Sequence, residues 1–242
     1  MNLRIMSWNI HRCIGVDRRF KPERVAECIA HYSPDILCLQ EVDRGVPRSR
    51  KLYLDHFLAE ALGYEFHTWS QAHTLTLGAY GNATLSRFPI VKRRVLDLTV
   101  SGKKKRNSLY TRIKVKRRNL HLFNWHLGLS AGERRSQVQH LLGTNTVRDL
   151  PDNSRIILAG DTNDWRNLLF NGCGIADNGY DAWSEHGRRK LIRTFPSTQP
   201  LGALDKFFWK GAIDAERIYP GHTKQTRLAS DHLPLVADFT LS

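Results

Sequence analysis

The sequence has few cysteines, and no two of them are closely spaced. Cys13, Cys28, Cys38 and Cys173 are the four. Zinc knuckles and dithiol redox motifs need two cysteines a few residues apart, so neither is predicted here. Because Cys28 and Cys38 lie among apolar neighbours, we expect reduced, structural thiols in a reducing compartment.

Long apolar runs, repeats and low-complexity segments are also missing. No apolar segment reaches the length of a transmembrane helix. The first strand-like segment, residues 3–8, is not preceded by a signal-peptide pattern, so the cytoplasm is the expected location. No linker-like segment divides the 242 residues, and we predict a single domain over residues 1–242.

Acidic residues are scarce relative to basic ones. The chain has 37 lysines and arginines against 23 aspartates and glutamates, which gives a formal net charge of +14. Such an excess favours polyanionic partners, either nucleic acid or an anionic membrane surface, although it can also serve solubility alone. The sequence gives no indication of oligomeric state.

Two basic clusters lie close together in the sequence. The first, in a predicted hairpin loop, consists of Lys103, Lys104, Lys105 and Arg106. The second consists of Lys114, Lys116, Arg117 and Arg118. We predict one strongly positive edge, with the first cluster binding a polyanionic substrate. A lysine-rich edge can instead discourage strand-to-strand aggregation.

The apolar pattern changes repeatedly between strand and helix periods. Helical spacing is found at residues 23–32, at residues 56–62 before Gly63, and at residues 133–147. Strands are predicted at residues 3–9, 35–41, 64–70, 82–86, 91–100, 109–115, 120–125, 155–159, 204–209, 212–218 and 235–240. The strands between residues 82 and 125 have no helix among them, which indicates antiparallel pairing.

This mixture of elements predicts the fold class. Many strands with few helices favour an α/β protein in which two mostly antiparallel sheets pack together and helices cover their outer faces. The expected architecture is a four-layer α/β/β/α sandwich with functional residues on loops at one rim.

Polar residues adjoin the strand-like segments at four places. These are Trp8-Asn9, Gln40-Glu41, Gly160-Asp161-Thr162-Asn163 and Ser230-Asp231-His232. Brought together at one end of the sheets, they would place carboxylates, carboxamides and a histidine in one pocket. That set of groups suits a site where a hard metal ion assists hydrolysis of a phosphate ester.

In this order the motifs resemble those of the endonuclease/exonuclease/phosphatase superfamily, which includes deoxyribonuclease I, exonuclease III, inositol polyphosphate 5-phosphatases and neutral sphingomyelinases. The resemblance covers nearly the whole chain. Further matches are Gly-Asn-Ala-Thr-Leu-Ser-Arg-Phe-Pro at residues 81–89, Asn-Trp-His-Leu at 124–127, Thr-Phe-Pro-Ser at 194–197 and Leu-Asp-Lys-Phe-Phe at 204–208. It implies a Mg²⁺-dependent phosphodiesterase, with Mn²⁺ as a possible substitute, in which water attacks phosphorus.

The resemblance also implies a metal-binding group. Glu41 matches the family's metal-binding glutamate, and Asn9 and Asp231 would complete the metal surroundings. Oxygen ligands of this kind suit Mg²⁺, which shares its coordination shell with substrate phosphate.

Five residues match the family's catalytic positions. Asp161 would orient or deprotonate the attacking water, and Asn163 would donate a hydrogen bond to a phosphoryl oxygen. His232 matches the catalytic histidine, with Asp205 holding its tautomer and orientation. His126 matches a second histidine near the leaving group.

Two further residues are predicted to line the substrate pocket. Asn82 and Arg87 both belong to the matched segment at residues 81–89, although Arg87 could instead hold the rim through backbone contacts. Asp164, next to the catalytic motif, is interpreted as a turn residue.

One segment departs from exonuclease III, which has a tyrosine and a Pro-Asn pair where this chain has Asn-Trp-His-Leu-Gly at residues 124–128. The departure argues against repair of abasic DNA. It favours a bacterial branch closer to deoxyribonuclease I and the sphingomyelinases.

Three functions follow as hypotheses. The first is a phosphodiesterase acting on nucleic acid. The second is the same chemistry on a phospholipid headgroup or an inositol phosphate at an anionic membrane. The third is a non-catalytic nucleic-acid-binding module, which the number of acids that would face an anionic ligand argues against.

Overall fold

Two six-stranded sheets form the centre of the protein, as seen in a computed structural model that describes residues 1–183 and 190–242. The first sheet contains, in spatial order, β11 (Ile213–Pro220), β12 (Leu235–Leu241), β1 (Asn2–Asn9), β2 (Ile36–Arg44), β4 (Ala79–Ser86) and β3 (Phe66–Thr74). The second contains β5 (Ile90–Asp97), β6 (Asn107–Val115), β7 (Arg118–His126), β8 (Arg155–Asp161), β10 (Asp205–Lys210) and β9 (Asp181–Ala182).

Each sheet has one parallel pair near its centre. These pairs are β1 with β2 and β7 with β8, and the other pairings among the described strands are antiparallel. The carboxyl ends of neighbouring parallel strands lie at the same edge of a sheet. Asn9 therefore comes next to Gln40, and His126 next to Asp161.

Helices cover both outer faces. On the first sheet these are α1 (Pro22–Tyr32), α2 (Leu54–Leu62) and α6 (Lys224–Ala229); on the second they are α3 (Ala131–Gly143), α4 (Asn145–Arg148) and α5 (Leu169–Gly172). Helix α1 begins at Pro22, where the missing N–H is not needed for an intrahelical bond.

Three apolar layers hold these elements together. Ile5, Leu122 and Phe207 belong to the layer between the sheets. Residues such as Trp8 and Leu58 pack the helices on the first sheet, and residues such as Phe123 pack those on the second. The predicted four-layer α/β/β/α architecture is confirmed.

The structure differs from the sequence-based element bounds in a few places. The helix predicted at residues 133–147 is two helices, because Thr144 has an extended backbone. Strand β5 ends at Asp97, before the predicted residue 100. The short elements α5, α6 and β9 were not predicted, since two to six residues carry too little periodicity.

A buried amide pair ties the two sheets together. Gln40 of β2 donates from Nε2 to Oδ1 of Asn124 on β7 over 2.8 Å. Asn124 in turn donates to the backbone carbonyl oxygens of Ala83 and Leu39 in the first sheet. Since both side chains are fully buried, these bonds fix how the sheets lie relative to each other near their functional end.

The two basic clusters lie apart. Residues 103–106 join β5 to β6 at one end of this hairpin, and residues 116–117 join β6 to β7 at the other end of β6. The two clusters therefore do not form the one strongly positive edge that was predicted, because the nine-residue strand β6 separates them.

All four cysteines are buried free thiols. Among the described residues, no helix has the length and apolar character needed to cross a membrane.

Gly160 permits the close approach of β8 to β7. Its φ is +139°, and a Cβ there would lie 2.0 Å from the carbonyl oxygen of Trp125. We expect Gly160→Ala to lower the free energy of unfolding by about 2–4 kcal/mol, through backbone strain and overpacking. Denaturant unfolding measures this change.

Gly132→Ala is the matched control, since Gly132 lies in α3, where an added Cβ would meet no heavy atom within 4 Å. It should be neutral or stabilising by up to about 1 kcal/mol. Equal effects of the two substitutions would contradict the proposed steric role of Gly160.

Candidate active site

A buried carboxylate occupies the centre of the pocket at the carboxyl ends of the two parallel pairs. Oδ2 of Asp161 accepts a hydrogen bond from Nδ2 of Asn9 at 3.0 Å. The same oxygen lies 3.4 Å from Nε2 of His126 and 3.6 Å from Nε2 of His232. Oδ1 accepts from the backbone N–H of Asn163 at 2.9 Å. The structure thus brings together residues from both sheets.

Burial controls the ionisation of this carboxyl group. Asp161 is 1% exposed, and desolvation raises its pKa to about 6, against the lowering effect of His232 and of the bonds from Asn9 and Asn163. A carboxylate with a pKa near neutrality can take a proton from water more readily than one at its ordinary value.

His232 forms the predicted pair with Asp205. Nδ1 of the ring lies 2.9 Å from Oδ2 of Asp205, and Thr194 donates to the same oxygen over 2.6 Å. The backbone carbonyl of His232 accepts from the indole N–H of Trp8 at 2.8 Å. These contacts fix the ring so that its Nε2 faces Asp161.

The surroundings shift the pKa values of the two histidines in opposite directions. Burial alone lowers the pKa of His232, but the carboxylates of Asp205, Asp161 and Asp231 outweigh it and raise the pKa to about 10. Burial lowers the pKa of His126 well below its ordinary value, assisted by nearby cations such as Arg106. At neutral pH, His232 is an imidazolium and His126 a neutral imidazole.

The imidazolium of His232 also affects stability. Its folded-state pKa of about 10 exceeds the unfolded value of about 6.5. The stabilising contribution is therefore fully present below pH about 6.5 and is lost as the pH rises through about 10.

A β-bulge sets the position of Glu41. Between Leu39 and Val42 the pairing of β2 with β4 shifts, and Glu41 has a φ of +55°. Such a bulge turns a side chain away from the regular alternation of the strand. The carboxylate is half-buried, and its one ion-pair partner among the described residues is Arg12, whose Nε lies 3.4 Å away.

The segment with Asp231 is anchored to the end of β1. Ser230 donates from Oγ to the backbone carbonyl of Asn9 over 2.6 Å. Asn9 Oδ1 accepts from the N–H of His11, which directs its Nδ2 toward Asp161. Asp231 itself is partly exposed to solvent.

Ligand atoms of Asp161, Asp205 and His232 lie within 4.8 Å of one another. This spacing alone would allow a metal ion. However, the contact between His232 Nδ1 and Asp205 has the length of a hydrogen bond, and Asp205 also accepts from Thr194. We therefore interpret this group as an acid–histidine pair beside a carboxylate.

The other predicted site residues have mixed outcomes. Asn163 donates from Nδ2 to the carbonyl of Leu127, which leaves its second amide hydrogen for other use. Asn82 is buried and donates to Asn107. Arg87 lies at the opposite end of β4, where its Nε donates to Pro34 over 3.4 Å. The prediction that Arg87 lines the pocket is therefore wrong.

The basic loop forms part of the pocket rim. Lys103, Lys104 and Lys105 are exposed, whereas Arg106 is buried. The ammonium group of Lys104 lies 5.2 Å from the ring centroid of Tyr80. The charges of Arg106 and Lys104 also contribute to the lowered pKa of His126, after the larger effect of burial.

The comparisons with known proteins agree with this geometry. The sequence profile of the "Endonuclease/Exonuclease/phosphatase family" matches residues 6–232. The chain belongs to this family. The predicted family assignment and its enzyme class, a hydrolase of phosphoester bonds, are confirmed; the branch within the family stays a prediction.

Among its relatives in the endonuclease/exonuclease/phosphatase family is the uncharacterized protein YbhP of Escherichia coli K12. The two are 32% identical over 252 aligned positions, which cover 99% of this chain and 97% of YbhP. Mouse tyrosyl-DNA phosphodiesterase 2 is 30% identical over 193 positions, covering 76% of this chain and 47% of the mouse protein. The chain thus corresponds to about half of that enzyme.

A solved endonuclease/exonuclease/phosphatase structure from Beutenbergia cavernae has the same fold. Its TM-score is 0.80 at 22% identity, with coverage of 100% of this chain and 72% of that chain. This agreement extends over the elements that supply the pocket residues.

Sequence reasoning missed several residues that shape this family member's site. Thr194 supports Asp205, and the ring of Phe195 lies 4.8 Å from that of His232. Both belong to a matched motif, but the motif does not say what they contact. Arg12 was part of an unassigned polar loop, and only the turn after β1 brings it to Glu41.

Asp164 is more than a turn residue. It is fully buried and lies 3.3 Å from Nζ of Lys206 and 3.6 Å from Arg134. Arg134 also donates to the carbonyl of Leu129 over 2.7 Å. This cluster joins the loop after β8 to the loop after β7 and so fixes the backbone beside Asp161 and His126.

Asp205→Asn tests the acid–histidine pair. Asp205 has the largest raising effect on the pKa of His232. Its neutralisation should therefore move this pKa down toward the ordinary value. NMR titration of the imidazole measures the shift. The kcat should fall by about 10²–10³, less than the roughly 10⁴ known for serine proteases, because this histidine has a different role.

Asp214→Asn, at an exposed position on β11, is the control and should change neither quantity. The variant Asp205→Asn/His232→Ala should be little worse than His232→Ala, since residues that act as a unit are non-additive. If the losses in kcat of the two single variants multiply in the double variant, or if the pKa of His232 is unchanged in Asp205→Asn, Asp205 acts independently of His232.

Proposed function

We propose that this family member is a Mg²⁺-dependent phosphodiesterase, also active with Mn²⁺, that hydrolyses nucleic acid and forms one catalytic domain over residues 1–242. The observation that supports it best is the buried Asp161, which contacts Asn9 and two histidines, one charged and one neutral. This arrangement places a carboxylate of raised pKa, a charged imidazolium and a neutral imidazole within one site.

Three residues at the strand ends offer the ligand chemistry of a divalent metal ion. Glu41, Asn9 and Asp231 offer only oxygen ligands, the type that Mg²⁺ prefers. Arg12 already lies against the Glu41 carboxylate, so positive charge is stabilised at this position. When bound there, the metal would supply charge neutralisation for the phosphate and the leaving oxygen.

Asp161 is assigned as the base that activates the attacking water molecule. Asn9 and the N–H of Asn163 hold its carboxylate, and its raised pKa lets it accept the proton of a water molecule as the water oxygen bonds to phosphorus. The bond from phosphorus to the leaving oxygen breaks on the opposite side.

His232 and Asn163 are assigned to stabilise the negative charge that develops on the phosphoryl oxygens in the transition state. The imidazolium of His232 can donate from Nε2 to a phosphoryl oxygen whose negative charge grows in the transition state. Asp205 balances the positive charge before the substrate binds and keeps Nδ1 occupied. Neutral His126, whose Nε2 lies 3.4 Å from Asp161, would contact the leaving group.

A nucleic-acid substrate is favoured by two features. The exposed lysines 103–105 lie on the pocket rim, where they can contact phosphates beyond the scissile one. The mouse relative, by its name, acts on DNA joined to tyrosine. Trp165, which is 52% exposed and 5.6 Å from Phe195, offers a surface on which a base can stack.

Removal of the metal should abolish activity. We expect EDTA to stop hydrolysis of a DNA oligonucleotide, Mg²⁺ or Mn²⁺ to restore it, and Glu41→Gln to lower kcat/KM by about 10² or more. The reason is that the lost charge stabilisation amounts to several kcal/mol. Glu60→Gln, at an exposed position of α2, is the control. Full activity in chelator would refute the proposed metal dependence.

Neutralising the basic loop should affect long substrates selectively. In Lys103→Ser/Lys104→Ser/Lys105→Ser, duplex DNA binding should weaken, and the slope of log affinity against log salt should decrease by about 0.9 for each lost phosphate contact. Arg106 is left intact because it is buried.

Hydrolysis of bis-p-nitrophenyl phosphate, which is too small to reach the loop, should barely change. The same assays with RNA, phospholipid vesicles and inositol phosphates test the alternative substrates. An unchanged salt slope for duplex DNA would mean that the loop only prevents aggregation.

A further inference from the structure

A second basic surface lies on the outer face of the second sheet. It is a groove of about 680 Å³ between strands β5–β7 and the segment at residues 145–155. Its basic side chains, which we call the outer-face cations, are Lys92, Arg94, Arg112, Arg117, Arg118 and Arg155. Among the described residues that line it, Asp149 is the only acid.

The outer-face cations are placed where they repel one another. Lys92 of β5 is directly opposite Arg112 of β6, and Arg112 is directly opposite His121 of β7. Like charges directly opposite across two strands destabilise a sheet. No ion pair among the described residues offsets Lys92 or Arg112, and the Nε of Arg112 is buried without a hydrogen-bond partner. An anion bound between these side chains would reduce their repulsion and could accept a hydrogen bond from the Nε of Arg112.

Protection of a sheet edge does not explain this arrangement. Strand β5 is an edge strand, where lysine and arginine often prevent aggregation. Arg112, however, lies on β6, which is paired on both sides. Arg118 and Arg155 both donate to the carbonyl oxygen of Ser242, so these two side chains already have a partner.

The floor of the groove is polar but uncharged. The hydroxyl of Tyr110 lies 2.9 Å from Nδ1 of His121. Burial, followed by the charges of Arg112 and Lys92, lowers the pKa of His121 to about 4. The net positive charge thus belongs to the lysine and arginine side chains around the floor.

The shape and composition of the groove favour a nucleic-acid backbone over a lipid surface. Arginine predominates, and its planar guanidinium matches the geometry of phosphate oxygens. Of the groove-lining residues that the structure describes, Leu150 and Pro151 are the only aliphatic ones. Binding to a membrane surface instead relies on projecting apolar side chains that enter the bilayer interface.

The groove begins on the outer face of the sheet that carries the active site and extends away from it. Tyr110 of the groove pairs with Phe123, which is three residues before His126 on β7, about 10 Å at about 3.3 Å per residue. A duplex is too stiff to turn from the pocket rim onto this outer face. A single strand can follow the cations of the rim loop and then enter the groove.

We propose that the outer-face groove binds the sugar–phosphate backbone of a single-stranded segment of the substrate while another phosphodiester of the same strand occupies the active site. This inference rests on the proposed function. It makes the groove a second binding site that increases affinity for long strands and leaves the chemistry unchanged.

The test measures binding in EDTA, so that no cleavage occurs. The variant is Lys92→Ser/Arg94→Ser/Arg117→Ser, and the probes are single-stranded DNA of 20 and of 4 nucleotides, a 20-base-pair duplex, and vesicles containing phosphatidylserine. For the 20-mer we expect affinity to fall about tenfold and the salt slope to decrease by about 2, at about 0.7 for each of three contacts. Binding of the 4-mer in EDTA should not change, nor should its hydrolysis, measured separately with Mg²⁺.

The control variant is Lys21→Ser/Arg135→Ser/Lys224→Ser, which removes equal charge from exposed positions outside the groove. The proposal is overturned if both variants weaken the 20-mer equally, if neither does, or if the groove variant loses only duplex or vesicle binding. Arg112→Lys should retain most of the affinity that Arg112→Gln loses; equal losses would contradict a role for its charge.

The outcome is separable from that of the proposed function. If the wild-type protein binds the 20-mer through the groove but hydrolyses no phosphodiester, the groove stands and the catalytic assignment fails. If it hydrolyses DNA and the groove variant binds as the wild type does, the catalytic assignment stands and the groove proposal is wrong.

Discussion

The carboxylate of Asp161 is the constraint on which the site depends. Its burial is costly for a charged group unless hydrogen bonds and opposite charge compensate. Asn9, Asn163 and the imidazolium of His232 provide that compensation. Because Asn9 comes from the first sheet and Asp161 from the second, the contact forms only when the two sheets pack in one relative position.

The packing of the sheets also divides the chemistry between them. The first sheet supplies Asn9 and Glu41, whose oxygens we propose as metal ligands. The second supplies His126 and Asp161, beside the strand that carries Asp205. The segment at residues 230–232 connects the two sheets. Ser230 hydrogen-bonds to the end of β1 in the first sheet, and His232 hydrogen-bonds to Asp205 in the second. The buried pair Gln40–Asn124 holds the two halves close to this pocket.

The positive charge of the chain is organised around these same strands. The hairpin loop at one end of β5 and β6 contributes exposed lysines to the pocket rim, and the outer-face cations lie toward the other end. Trp165 lies against Phe195, whose ring is next to that of His232, so these two residues form an aromatic surface there. Exposed lysines and an aromatic surface suit the proposed ligand, which has both phosphates and flat bases.

The sequence by itself determined the fold class and most of the pocket, because strand alternation and polar residues at strand ends are local signals. Asn9, Glu41, Asp161 and His232 could be named from such signals. Arg87 could not be placed correctly, since its position depends on the direction in which β4 runs relative to β2. The support of Asp205 by Thr194, the burial of Arg106 and the opposed cations Lys92 and Arg112 also arise only from tertiary contacts. Strand order and register decide which distant residues become neighbours, and those neighbours determine burial, charge state and the surface that a ligand meets.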